Sequence, residues 1–183
     1  MKTRSLALVI CGGVAVGVLS HWLLDRSVGR VESALALFQR HCVPFAGGGI
    51  VAPSSSLERY DLTGGLMFFD PDSRFVLSLS ATHCAVSDIV DPIDPRDWPA
   101  LKQGVHEMIE RELPVLTFQG TKGSRPQRDR ALWREEPLME ASLWGVSLTY
   151  DTSHPKAGLV EMRMFVSDAA PRREAVDRLA GVP

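Results

Sequence analysis

The sequence predicts an α+β fold: one domain in which helices pack on one face of an antiparallel sheet, preceded by an N-terminal hydrophobic helix. Three observations carry this expectation. Apolar residues recur at helical spacing in two separate stretches. Apolar and polar residues alternate at period two in runs joined by short turn sequences. The order helix, strands, helix, strands, short helix departs from the βαβ alternation of a parallel sheet.

The N-terminus comes first. Lys2 and Arg4 precede an unbroken apolar run from Leu6 to Leu19. A basic start followed by such a run reads as a secretory signal. Val18 and Ser20 are small enough to flank a cleavage site after Ser20. His21, Trp22, Leu23 and Leu24 prolong the stretch, so Leu6 to Leu24 spans nineteen residues. That is close to the roughly 20 needed to cross a bilayer. Residues 1–24 are therefore a signal peptide or a membrane anchor, and 25–183 an exported domain. Either reading places the domain in the periplasm or on the outer face of the inner membrane. Membrane contact through residues 6–24 is expected if the segment is not cleaved.

Val28, Val31, Leu35, Phe38 and Cys42 mark an amphipathic first helix. Pro44 and Gly47–Gly48–Gly49 are expected to end it, in a loop running through Pro53 and Ser54 to Ser56. No GxxxxGK[ST] accompanies the triple glycine, so it is no phosphate loop. Leu66 to Asp70, the turn residues Pro71–Asp72–Ser73, and the alternation of Phe75, Leu77 and Leu79 predict a β-hairpin. The stretch Thr82 to Val90 either forms a third strand or ends the second, which puts Cys84 at the exit of a sheet. Asp97 is expected to cap a helix starting at Trp98–Pro99, with Leu101, Val105, Met108 and Ile109 as its apolar stripe. Gly120 to Asp129 reads as a polar loop. Leu143 to Tyr150 and Val160 to Val166 read as antiparallel strands. Pro171 to Leu179 makes a short helix ending at Gly181. No internal repeat is visible.

Composition narrows the function. The chain is 45% hydrophobic and 23% charged, which excludes a disordered chain, a collagen-like repeat and a polytopic membrane protein. Twenty basic residues against 22 acidic ones leave a net charge of -2. A dedicated nucleic-acid binder carries a basic excess, so no nucleic-acid partner is expected.

Of the three cysteines, Cys11 lies in the apolar run. Cys42 and Cys84 form an even pair in an exported chain, and an oxidising compartment favours a disulfide between them. A competing reading pairs them with their neighbours His41 and His83 as a zinc set. Adjacent side chains diverge on helix and strand alike, so no metal site is expected.

Catalytic patterns are weak. His106 and Glu110 share a helix face in HEMIE, but Glu110 stands where the zinc-protease helix needs its second histidine. Asp88, Asp91, Asp94 and Asp97 lack the spacing of a calcium loop and suit turns and caps instead. Ser54, Ser55 and Ser56 have no nucleophile elbow around them. No cofactor is expected, and the chain leans away from catalysis. The alternative is a hydrolase assembled only in the fold, with His106 or His154 beside a carboxylate or serine.

Lys122, Arg125, Arg128, Arg130 and Arg134 concentrate positive charge in what reads as one loop, broken by Asp129. This candidate patch suits an envelope protein or another anionic surface. Only Trp133 lies nearby, which gives no stacking platform for single strands. The expected role is a binding or envelope-interaction module.

Leu37–Phe38 with Cys42 on the first helix, then Cys84–Ala85–Val86 in a β-rich body, resemble small exported alphaproteobacterial proteins with no assigned activity. The resemblance implies export and a two-cysteine bridge. It brings no catalytic residues.

Overall fold

The computed structural model describes residues 29–62, 65–121, 128–135, 144–153, 159–166 and 170–181. Residues 1–24, expected to be a signal or anchor, and Lys122, Arg125 and His154 lie outside the described residues. Among the described residues no helix is long and apolar enough to cross a membrane.

The first helix, α1, covers residues 29–41 and buries Val31, Ala34 and Phe38. Pro44 does not end helical backbone as expected. After a break at Cys42 the chain makes one more turn, α2 (Val43–Ala46), with the proline in its first turn. There its missing N–H would have had no helical partner anyway. Gly48, at φ +84°, then turns the chain away.

Four strands follow: β1 (Glu58–Leu62), β2 (Gly65–Phe69), β3 (Val76–Leu79) and β4 (His83–Ser87). The expected hairpin is β2–β3. Asp70 closes its turn by accepting from the Asp72 N–H at 3.1 Å and the Ser73 hydroxyl at 2.5 Å. Cys84 sits within β4, a strand of its own, rather than at a sheet exit. A 3₁₀ turn (Pro95–Asp97) leads into α3 (Trp98–Glu112), which buries Leu101, Val105, Met108 and Ile109. Asp97 takes the N-cap position as expected, but its side chain makes no cap hydrogen bond. Asp94 supplies one instead, accepting from the Arg96 N–H at 2.9 Å at the head of the 3₁₀ turn.

The second run of strands is β5 (Leu116–Thr121), β6 (Arg128–Glu135), β7 (Gly145–Asp151) and β8 (Leu159–Phe165), followed by α4 (Ala170–Ala180). The expected polar loop ends early, because Arg128 and Asp129 already belong to β6.

The sheet order is β1-β2-β3-β4-β8-β7-β6-β5, with every neighbour antiparallel. Each half is helix followed by a four-strand meander. The halves join where β4 meets β8, with Cys84 opposite Met164 and Val86 opposite Met162. No sequence repeat announces this duplication.

One sheet face carries the core. Leu66, Phe68, Leu77, Leu79, Cys84, Val86, Met162, Met164, Val146, Leu148 and Trp133 all alternate onto it. Residues of α1, α2, α3 and α4 complete the same cluster. The expected α+β layering, with helices on one face, therefore holds. Two arginines moor α4. Arg172 donates to the carbonyls of Phe45 (2.8 Å) and Ala46 (3.1 Å), and Arg59 to those of Leu179 (2.7 Å) and Ala180 (2.9 Å). Both donate to carbonyls at helix C-termini, where the helix itself supplies few donors.

Two ties fasten the first half, one within it and one from it to β8. The Cys42–Cys84 disulfide, with Cα atoms 5.2 Å apart, joins the α1–α2 break to β4. Asp88, with no exposed surface, accepts from the backbone N–H groups of Ile93 and Val160, each at 2.7 Å. Next to it, Arg30 on α1 pairs with Asp91 and lies 5.0 Å from the Phe75 ring centroid.

Candidate functional site

The sheet face away from the helices is built in rows across β6, β7 and β8. The register sets Arg128 beside Asp151 and Leu159, and Arg130 beside Thr149 and Glu161. It sets Leu132 beside Ser147 and Arg163, and Arg134 beside Gly145 and Phe165. The middle strand thus presents Gly145, Ser147 and Thr149, all small, between longer side chains. The result is a trough of about 550 Å³ with a β7 floor.

Gly145 is required by space at the head of this floor. A Cβ there would stand 2.2 Å from the Trp133 carbonyl oxygen, which is backbone and cannot rotate away. Gly145→Ala is expected to cost about 1–3 kcal/mol through a forced strand shift. A urea melt checks it; an unchanged midpoint would show that β6 and β7 separate freely.

Four guanidinium groups face two carboxylates in the trough. Arg128 is 2.6 Å from Asp151, and Arg163 is 2.9 Å from Glu161. The Ser153 hydroxyl and the Arg128 guanidinium hold the Asp151 carboxyl well below the usual carboxylate range. Arg134 lies against the Phe165 ring, 5.8 Å from its centroid, and its Nε has no hydrogen-bond partner among the described residues. Arg130 is exposed, and among the described residues no carboxylate pairs with it.

The described part of the sequence-predicted patch, Arg128, Arg130 and Arg134, is therefore a strand face rather than a loop. Arg128, Arg130 and Arg134 fall on one side of β6 because their numbers share parity. Arg163, absent from the expectation, joins them from β8. Its signal was present: in Val160 to Phe165 the methionines mark the core side, which leaves Arg163 on the other. Trp133 faces the core at 2% exposure, so it takes no part in the trough.

The three described histidines stand in three settings. His106 lines a second pocket of about 280 Å³ with Trp98, Lys102, Phe118 and Trp133. Its Nδ1 accepts from the Trp133 Nε1–H at 3.2 Å, and its Nε2 lies 3.2 Å from Glu110. A histidine beside a carboxylate in a concavity is what the hydrolase alternative needs. Yet both ring nitrogens are already engaged, and the pocket lining contains no serine, threonine or cysteine. His83 has its Nδ1 2.8 Å from the Ser80 hydroxyl oxygen, which also accepts from the N–H groups of Thr82 (3.2 Å) and His83 (3.1 Å). This network closes the β3–β4 turn. Burial, then the Arg163 charge, pushes the His83 pKa down.

His41 is buried, with its Nδ1 3.4 Å from the Val51 carbonyl, and burial lowers its pKa. The zinc reading of His41, Cys42, His83 and Cys84 fails because the two sulfurs are bonded to each other. Among the described residues no three His, Cys, Asp or Glu side chains converge as a metal site. The aspartates from Asp88 to Asp97 serve a buried backbone clamp, an ion pair and a cap.

Comparison with protein-family models, with curated proteins and with solved structures finds no match. Fold and site together define a disulfide-bonded α+β protein with one sheet face given to the core and the other to arginines.

Proposed function

We propose that this protein is an exported binding module that captures an anionic partner at the cell envelope through the arginine-bearing face of its sheet. The observation that carries the reading is Arg130. It stands exposed in a trough flanked by Arg134 and Arg163, and among the described residues no carboxylate pairs with it. A cleft with an excess of one sign of charge, here four guanidinium groups against two carboxylates, concentrates counter-charged ligands. Export is supported by the basic-then-apolar N-terminus and by the disulfide, a bond that persists in oxidising compartments.

Heparin, a sulfated polyanion, is a suitable probe. Full-length protein is expected to be retained on a heparin column and released by salt, because exposed charges are screened. The double variant R130Q/R134Q should bind at least about tenfold more weakly, since each charge-assisted hydrogen bond contributes roughly 1.5–3 kcal/mol. Its thermal midpoint should barely move, as substitutions away from core and network are close to neutral. Equal retention of the variant and the parent would remove the proposal.

A further inference from the structure

We infer that the trough contains a discrete subsite for a phosphate-type oxyanion, centred over Ser147. This inference rests on the cationic-face reading and narrows it to one ligand chemistry. Ser147 is 4% exposed yet lines the trough, so its position is the bottom of the lane. Directly beside it stand Leu132 on β6 and Arg163 on β8. Arg130 and Arg134 are its diagonal neighbours on β6, at the ~7–8 Å spacing that long side chains span. The register thus sets three arginines around Ser147, one directly beside it and two on its diagonals.

This arrangement selects among anions. A carboxylate has two coplanar oxygens and is satisfied by a single arginine fork. A phosphate monoester has three terminal oxygens pointing in different directions. It can accept from the forks of Arg130 and Arg134, from the N–H groups of Arg163 that Glu161 does not engage, and from a hydroxyl together. Two of the donors are held in advance, Arg163 by Glu161 and Arg134 against Phe165. Side chains ordered before binding lose less entropy on binding. Glu161 is the one carboxylate in the adjoining row, and its pairing with Arg163 spends its charge there. Leu159 and Phe165 give the lane apolar walls, which suits a phosphate that carries hydrocarbon.

A phosphate of this kind is found on a soluble ester or on a lipid head group. The test uses full-length protein with three probes: inorganic phosphate, phosphatidylcholine vesicles with and without phosphatidic acid, and heparin. Calorimetry with inorganic phosphate is expected to show saturable binding. S147V should weaken it at least tenfold, because valine suits a strand but offers the oxyanion no hydroxyl. R163Q should weaken both phosphate and heparin binding. Added phosphatidic acid recruiting the protein to vesicles assigns the head group to lipid; phosphate binding without recruitment assigns it to a soluble ester. Heparin retention with no binding of phosphate or phosphatidic acid overturns the subsite and leaves the cationic face standing. Loss of all three overturns both. Undiminished phosphate binding by S147V also overturns the subsite.

Discussion

The double variant C42A/C84A is expected to be less stable than the parent by about 4 kcal/mol. The cysteines are 42 positions apart, and closing a loop of that size removes about this much entropy from the unfolded chain. For a protein of this length the thermal midpoint should fall by about 8–16 °C. Both sulfurs are fully buried, so trimming the side chains also leaves a void under α1. The double variant is preferable to a single one, which would leave an odd thiol free to mispair. Intact mass gives the companion measurement. Reductant should add two hydrogens to the parent and none to the variant. Equal melting of variant and parent, with or without reductant, would show that the cross-link carries no stability.

Asp88→Ala is expected to cost about 2–6 kcal/mol. The carboxylate is the acceptor for two backbone N–H groups at 2.7 Å, one in the loop after β4 and one at the start of β8. Removing it strands both donors away from water, at about 1–3 kcal/mol each. Asp88→Asn should cost less, since its amide oxygen still serves one donor. The pH dependence has a definite sign. Burial raises the Asp88 pKa, outweighing the two N–H groups that lower it. The folded protein therefore holds this proton at pH values where the unfolded chain has lost it. The resulting stability is present below the ordinary aspartate pKa, about 3.9, and is lost as pH rises through the raised one. Urea melts across that window should show the penalty of Asp88→Asn shrinking with rising pH. A penalty that grows instead would mean that the folded state favours the charged form.

Much of this fold is written in local pattern. The α1 and α3 stripes and the β2–β3 hairpin are legible because each has its own period and its own turn chemistry. The β7 and β8 strands are legible because Val146, Leu148, Met162 and Met164 alternate cleanly. What escaped was the edge. The β1 strand, Glu58 to Leu62, has no alternation, and its Arg59 is explained only by α4 carbonyls some 120 positions away. The β6 strand was hidden because arginines and an aspartate resemble a solvated loop. On an open sheet face a charged residue is an ordinary strand residue, and Ala131 and Trp133 on the other side were the better guide. Asp88 looked like one aspartate among four in a turn, because nothing local shows that its partners include Val160. The candidate site was half visible. Three of its arginines could be named from charge density, but Arg163 and Ser147 enter only through register.

The duplicated layout also dictates an order of assembly. Within each half every strand pairs with its sequence neighbour, so each meander forms through short-range closures. Only β4 against β8 requires segments more than seventy positions apart to find each other. Distant pairings are slow, since loop closure must precede the contacts that reward it. The cross-link lies wholly on the early side of that divide: Cys42 and Cys84 both precede α3. A chain entering an oxidising compartment N-terminus first can lock its first half while β8 is still to come. Its hydrogen-bonding edge on β4 then waits, already shaped, as the template on which the second half zips.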